Sequence, residues 1–243
     1  MSEILNHATK LRRAGKMTEA YHFIRENTSE LNDAPLWIHH PMFWQEVHSG
    51  SCVLRKRSQQ DVLFLYELWQ KPNFIEQFNC LARPLPKDPD KLRFILDAEY
   101  YSTIDLSKEL HWIVSDSYGN KYGLLSLMDI SLNHKKAEVL LGVLPDAPLG
   151  LAPTSMYMLF KFFFEILKFN KLYTYVAETN QHSLKGTLHL GFKAEGLLKS
   201  EIFNPISKKF VDLVRTGINR QEALDILQTP LARRLLSKKS KGH

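Results

Sequence analysis

The chain has 243 residues, 44% of them hydrophobic and 24% charged, with a formal net charge of +6. That balance supplies the core of one sizeable domain, or of one domain with an appendage, and excludes extensive disorder. The greasiest run, Met156 to Phe169, is too short to cross a bilayer and is broken by Lys161, Glu165 and Lys168, which excludes a membrane partner on that segment.

The first fifty residues read as helical and separate. Ala8, Leu11 and Ala14 share a face, Gly15 breaks the pattern, and Ala20, Phe23 and Ile24 resume it. The stretch resembles a single helical hairpin of the tetratricopeptide type. One such hairpin cannot bury its own apolar face, so it is expected to dock on the rest of the chain or on a partner. Trp37, Phe43 and Trp44 are candidates for the seam. No continuous apolar core marks the N-terminus as a signal peptide. Cys52 and Cys80 have no metal spacing and read as reduced thiols, which suits a cytoplasmic protein.

"SCVLRK" alternates as a strand with one wet side. Ser58 with Asp61 three residues on forms a variant capping box, and Val62, Leu65, Tyr66 and Trp69 mark a helix that Pro72 ends. Asp88 or Asp90 opens a further helix through Phe94, Ile95 and Ala98. The period then changes to two. His111–Ser115 and Tyr122–Ile130 predict a hairpin about Gly119-Asn120, and "KKAEVLLGVL" a third strand. A helix over 153–168, a strand "KLYTYVAET", a short helix from Gln181 to His189, and a hairpin turning at Asn204-Pro205 follow. This order predicts an α/β (α+β) mixed sheet with helices on its faces. The divisions are a hairpin over 1–50, the sheet domain over 51–222 and a basic helix or tail over 223–243. "ARRLLSKKSKGH" reads as a solvated tail that could attract an acidic partner. It carries no nucleic-acid motif.

From Cys52 to Arg220 the chain resembles the GNAT acyltransferase superfamily. "Ala147-Pro148-Leu149-Gly150-Leu151-Ala152" fits the family's Arg/Gln-x-x-Gly-x-Gly/Ala loop at Gly150 and Ala152 and departs from it at Ala147. Asn180, Ser183, Gly191 and Phe192 occupy the family's Asn-x-x-Ser and Gly-Phe positions, most like the RimJ/RimL branch. The resemblance implies a cytoplasmic N-acetyltransferase using acetyl-CoA and no metal. Its acceptor would be a primary amine, on a small molecule such as an amino sugar or at a protein N-terminus. The other reading is a non-catalytic CoA-binding scaffold whose hairpin recruits a partner.

The same resemblance assigns site residues. Backbone amides of Leu149, Gly150, Leu151, Ala152 and Thr154 would hold the pyrophosphate, since a helix N-terminus presents unpaired donors and partial positive charge. Leu141, Gly142 and Val143 would pair with the pantetheine arm as a strand does, with Gly142 at a bulge. Glu138 is the candidate base, with Asp129 and Glu178 as rivals. Ser183 could meet the departing thiolate or merely cap its helix, and Asn180 could bond pantetheine or substrate. Thr187 stands where many members carry an acidic tyrosine.

Overall fold

The computed structural model describes residues 3–27, 46–71, 74, 78, 85–101, 108–204 and 208–237. Helices α1 (Glu3–Arg13) and α2 (Met17–Glu26) open the chain. Gly15 between them takes a φ of 77°, a left-handed value that glycine reaches without strain. Ile4, Ala8, Ala20 and Ile24 lie in the same buried cluster as one face of the sheet. Arg12 also donates to the carbonyl of Tyr100 at 2.8 Å. The two helices therefore dock within the chain. The seam assigned to Trp37, Phe43 and Trp44 lies outside the described residues.

Strands β1 (Val47–Ser49) and β2 (Cys52–Lys56) follow. The wet side expected of β2 is absent: Val53 is buried and Arg55 half-buried on one face, and on the other Lys56 is buried, with its ammonium on the Tyr100 carbonyl at 2.9 Å. Arg55 forks onto the fully buried Asp61 at 2.7 and 3.0 Å. The capping box forms as expected, the Ser58 amide donating to Asp61 at 2.8 Å before a 3-10 turn and helix α3 (Val62–Gln70). Burial alone would raise the Asp61 carboxyl, but the Arg55 fork and a Lys121 hydrogen bond hold it below the usual range. Helix α4 (Pro89–Tyr101) begins where Asp88 accepts the Asp90 amide.

Strands β3 (Leu110–Asp116), β4 (Lys121–Ser131) and β5 (Lys136–Val143) form the meander. Helix α5 (Leu151–Phe160) runs into a π-helical turn, Lys161–Ile166, where a single helix over 153–168 was expected. The wider turn is closed by the Leu167 amide on Phe162. It lies where Phe162, Phe163 and Phe164 are all fully buried, each contributing about 2 kcal/mol of hydrophobic stabilisation. Strand β6 (Lys171–Ala177), helix α6 (Gln181–His189), β7 (Lys193–Asn204) and β8 (Lys209–Asn219) complete the sheet.

Eight strands run in the order β1-β2-β3-β4-β5-β6-β8-β7, antiparallel except for β5 beside β6. Alternation divides the faces. Trp112, Leu125, Val139 and Leu172 join α5 and the terminal helices, while Ile113 and Leu124 join α3 and α4. The C-terminal region corrects the expectation of a solvated tail. Helices α7 (Arg220–Leu227) and α8 (Pro230–Leu236) are ordered, with Ala223 and Ala232 in the core. Residues 238–243 lie outside the described part.

Candidate active site

The parallel pair β5–β6 is held over three positions: Lys136 beside Lys171, Ala137 beside Leu172 and Glu138 beside Tyr173. Beyond these the strands part. Among the described residues β5 has no strand partner on that side from Val139 to Val143, while its other edge stays paired to β4. Past the opening, β5 leads to the N-terminus of α5 and β6 to that of α6. A crevice at the carboxyl ends of diverging parallel strands is the usual ligand site of such sheets.

The loop ahead of α5 is tightly bonded to itself. Ala147 donates to Leu144, Leu151 to Pro148, and both the amide and the hydroxyl of Thr154 to the Gly150 carbonyl. Gly150 caps the helix with a φ of 88°, a conformation strained for any residue with a Cβ. The amides of Leu151 and Thr154 are thus committed inside the loop, contrary to the expectation that they face a ligand. Those of Leu149 and Gly150 donate to nothing among the described residues, and Ala152 lies in the first turn, where partners are lacking. The Leu149 side chain is fully exposed. Leu235 of α8 sits against Gly150, 3.5 Å from where a Cβ would stand.

Glu138 stands at the vertex of the fork, on the face it shares with Leu140 and Gly142. Its carboxyl is pushed up to about 7, first by burial and then by the Asp129 charge. Asp129 is turned out of β4 by an irregularity between Met128 and Ser131, with a φ of 45°. It accepts the Tyr173 hydroxyl at 2.9 Å. The other rival, Glu178, is exposed just past the end of β6. Gly142 is no bulge: it stays in register with Leu124. A side chain there would meet Phe78 at 2.6 Å and Phe74 at 3.0 Å, so aromatic cover requires the glycine. Leu141 and Val143 point the other way and pack on the main core.

At the far wall, Asn180 caps α6, its side-chain oxygen accepting the Ser183 amide at 3.1 Å. Asn180, not Ser183, is the cap, and the half-buried Ser183 hydroxyl bonds to no described group. None of the residues of α6 is buried. Gly191 has a φ of 99° and lies where a Cβ would stand 2.1 Å from Ile226, and Phe192 is buried against Phe160. The Gly-Phe pair is therefore a packing device.

Two features escaped the sequence reading. Tyr173 and Tyr175 extend the Glu138 face, with the Arg215 guanidinium 5.0 and 5.9 Å from their ring centres. The alternation in "KLYTYV" was the available signal. His111, buried in β3, bonds to Ser126 and Glu109, and nothing local in the sequence marks that cluster.

A family described as an acetyltransferase (GNAT) domain matches residues 52–193. The chain belongs to the GNAT acetyltransferase family. This GNAT protein is 26% identical to the spermidine N(1)-acetyltransferase of Vibrio cholerae serotype O1 over 178 residues, 73% of this chain and 98% of the relative. It is 27% identical to the spermidine N(1)-acetyltransferase of Escherichia coli K12 over 156 residues, 60% of this chain and 83% of that one. The crystal structure of the Vibrio cholerae spermidine N-acetyltransferase in complex with CoA and spermine superposes with a TM-score of 0.61. Identity there is 26%, covering 72% of this chain and 98% of the other. These relatives are named for spermidine rather than for RimJ or RimL. The GNAT enzyme described here is thus an N-acetyltransferase, using acetyl-CoA to acetylate a primary amine. Among the described residues no helix is long and apolar enough to cross a membrane, and no group of three or more His, Cys, Asp or Glu could hold a metal ion.

Proposed function

We propose that this GNAT enzyme binds acetyl-CoA in the fork between β5 and β6 and acetylates a small-molecule primary amine of the polyamine type, with Glu138 as general base. The observation that carries this reading is the shortness of the parallel pairing. It frees the edge of β5 from Val139 to Val143 and leaves Glu138 at the vertex.

The residues present fit the co-substrate. The open backbone of Leu141, Gly142 and Val143 can pair with an extended pantetheine as a further strand. An amide there can donate to the developing oxyanion. Leu149, Gly150 and Ala152 offer amides to the pyrophosphate, while Leu151 and Thr154 hold the loop in shape. Acetyl-CoA, when bound, supplies the thioester carbonyl and the thiolate leaving group. Asn180 fixes the start of α6, and the Ser183 hydroxyl is available to meet that thiolate.

Acylation of an ammonium releases one proton net. Glu138, ionised above about pH 7, takes that proton and leaves the nitrogen lone pair free to attack. Asp129 beside it adds negative charge, which favours a cationic acceptor, in keeping with the names of the relatives. The test is release of free thiol from acetyl-CoA with spermidine, spermine, an amino sugar and a peptide N-terminus, together with a thermal shift by CoA. Turnover highest on a polyamine is expected. Stabilisation by CoA without turnover on any amine would overturn the reading.

A further inference from the structure

Across β3 and β4, on the same face as Glu138, runs a row of three polar side chains. His111 and Ser126 are register partners, and their side chains meet at 2.8 Å from Nδ1 to Oγ. The other imidazole nitrogen, Nε2, lies 3.2 Å from Glu109. His111 and Ser126 are both buried, whereas Glu109 is half-exposed. His111 and Glu109 line a cavity of about 210 Å³ together with Lys56, Arg57, Glu99 and Leu110. Ser126 stands at the other end of the row, opposite Leu140 on β5, while Glu138 is opposite Met128. Glu138 and Ser126 are therefore diagonal neighbours on one face, about 7 Å apart, a separation that the Glu138 side chain and one water span.

The polarity of the row is fixed by its chemistry. An ionised Glu109 only accepts, so Nε2 carries the proton and Nδ1 accepts from the Ser126 hydroxyl. The Ser126 oxygen then keeps a lone pair for a donor from the Glu138 side. We propose that Glu109, His111 and Ser126 are positioning residues of a proton relay that carries the proton taken up by Glu138 to the cavity and so to solvent. This rests on the reading of Glu138 as the base.

The balance closes at one proton. Ser126 receives a hydrogen from a water that Glu138 reprotonates, and it passes its own to Nδ1. The imidazolium formed releases its Nε2 proton through Glu109 to cavity water, and a turn of the ring restores the starting arrangement, with N–H toward Glu109 and a bare nitrogen toward Ser126, before the next cycle. Around His111 stand Ser126 from β4, Lys56 at the end of β2 and Arg57 just past it, Glu99 from α4 and Glu109 just before β3. Arg57 is held by Glu99 at 2.7 and 3.0 Å, and Lys56 by the Tyr100 carbonyl. Burial and the Arg57 charge hold the imidazole below its ordinary pKa, while Glu109 opposes them. The ring is thus neutral at rest and ready to receive.

The experiment is steady-state thiol release by the full-length Ser126→Ala, His111→Ala and Glu109→Gln variants in water and in deuterium oxide, with thermal melting to establish folding. Ser126→Ala and His111→Ala are expected to lower kcat about tenfold with KM for both substrates retained, and to raise the solvent isotope effect. Millimolar imidazole, entering the enlarged cavity, should restore His111→Ala. If that variant does not fold, Ser126→Ala and Glu109→Gln decide. A Ser126→Ala enzyme with wild-type kcat and isotope effect overturns the relay. Should Glu138→Gln be inactive while Ser126→Ala is not, the relay alone falls. Wild-type turnover by Glu138→Gln removes the base and the relay together.

Discussion

Glu138→Gln gives the sharpest test of the site. In the folded chain the carboxyl titrates at about 7, raised by burial and by Asp129, against about 4.3 in an unfolded chain. A free base must be ionised, so kcat/KM should rise with pH up to about 7 and level off above it. About a tenth of the enzyme is competent at pH 6 and about nine-tenths at pH 8. Removing the base should lower the plateau by about 10²–10⁴-fold and abolish that limb, with KM for acetyl-CoA retained. The same group acts on stability with the opposite sign. A carboxyl raised by folding supports the fold below its unfolded pKa, and that support is lost as pH rises through 7. At pH 8 the ionised Glu138 is therefore a burden on the order of 1–3 kcal/mol. Glu138→Gln should then melt a few degrees higher than the parent at pH 8 and close to it at pH 4. The assays are thiol release across pH 5.5–9 with spermidine and thermal melts at the two pH values. A variant that keeps both its plateau and its limb would refute the assignment of the base.

Gly150→Glu places a side chain on a left-handed φ, straining the loop by about 1–2 kcal/mol, and puts negative charge beside the free amides. CoA should no longer raise its melting temperature, and retained affinity would locate the phosphate elsewhere. Ser183→Ala should lower kcat about tenfold, as expected of a group that protonates or hydrogen-bonds a leaving group, and leave KM for acetyl-CoA unchanged. An unaltered rate would leave Ser183 as no more than a first-turn residue of α6. Asp61→Ala leaves Arg55 and Lys121 without their buried anion. It should destabilise the chain by about 3–5 kcal/mol in urea unfolding while sparing CoA affinity.

What the sequence could carry depended on how local the cause was. The Ser58–Asp61 box, the Gly119 turn and the bounds of α6 are set within a few residues and were legible. The wet side assigned to β2 failed because Arg55 folds back onto Asp61 in the turn that follows and the partner of Lys56, the Tyr100 carbonyl, comes from distant α4. Gly142 suggested a bulge because Phe74 and Phe78 cannot be foreseen above it. Asn180 and Ser183 were recognised as a pair, but which of them caps α6 turns on one hydrogen bond. The amides of Leu151 and Thr154 were offered to a ligand because the Pro148 and Gly150 carbonyls that take them are visible only once the loop closes. His111 and Ser126 lie fifteen residues apart, and it is the β3–β4 register that makes them partners.

The loop before α5 has an alanine, Ala147, where its family commonly places a basic or amide side chain, and this changes what must be rigid. A lysine can follow a phosphate that shifts, whereas amide dipoles act only where the backbone puts them, and their advantage is that they need no reorganisation. The fold supplies that rigidity from inside and outside the loop. Inside are the two bonds of Thr154 to the Gly150 carbonyl and the Leu151 bond to Pro148. Outside is α8, which lies beyond the residues matched to the family. Leu235 abuts Gly150, and the adjacent Leu236 carbonyl accepts the Ser49 hydroxyl of β1 at 3.0 Å. The last helix is thus tied to the first strand and leans on Gly150, the left-handed residue of the loop proposed to hold the pyrophosphate. On the proposed reading, amides that hold a pyrophosphate with Ala147 in place of a basic side chain need a braced backbone, and α8, through Leu235 against Gly150, is placed to brace it.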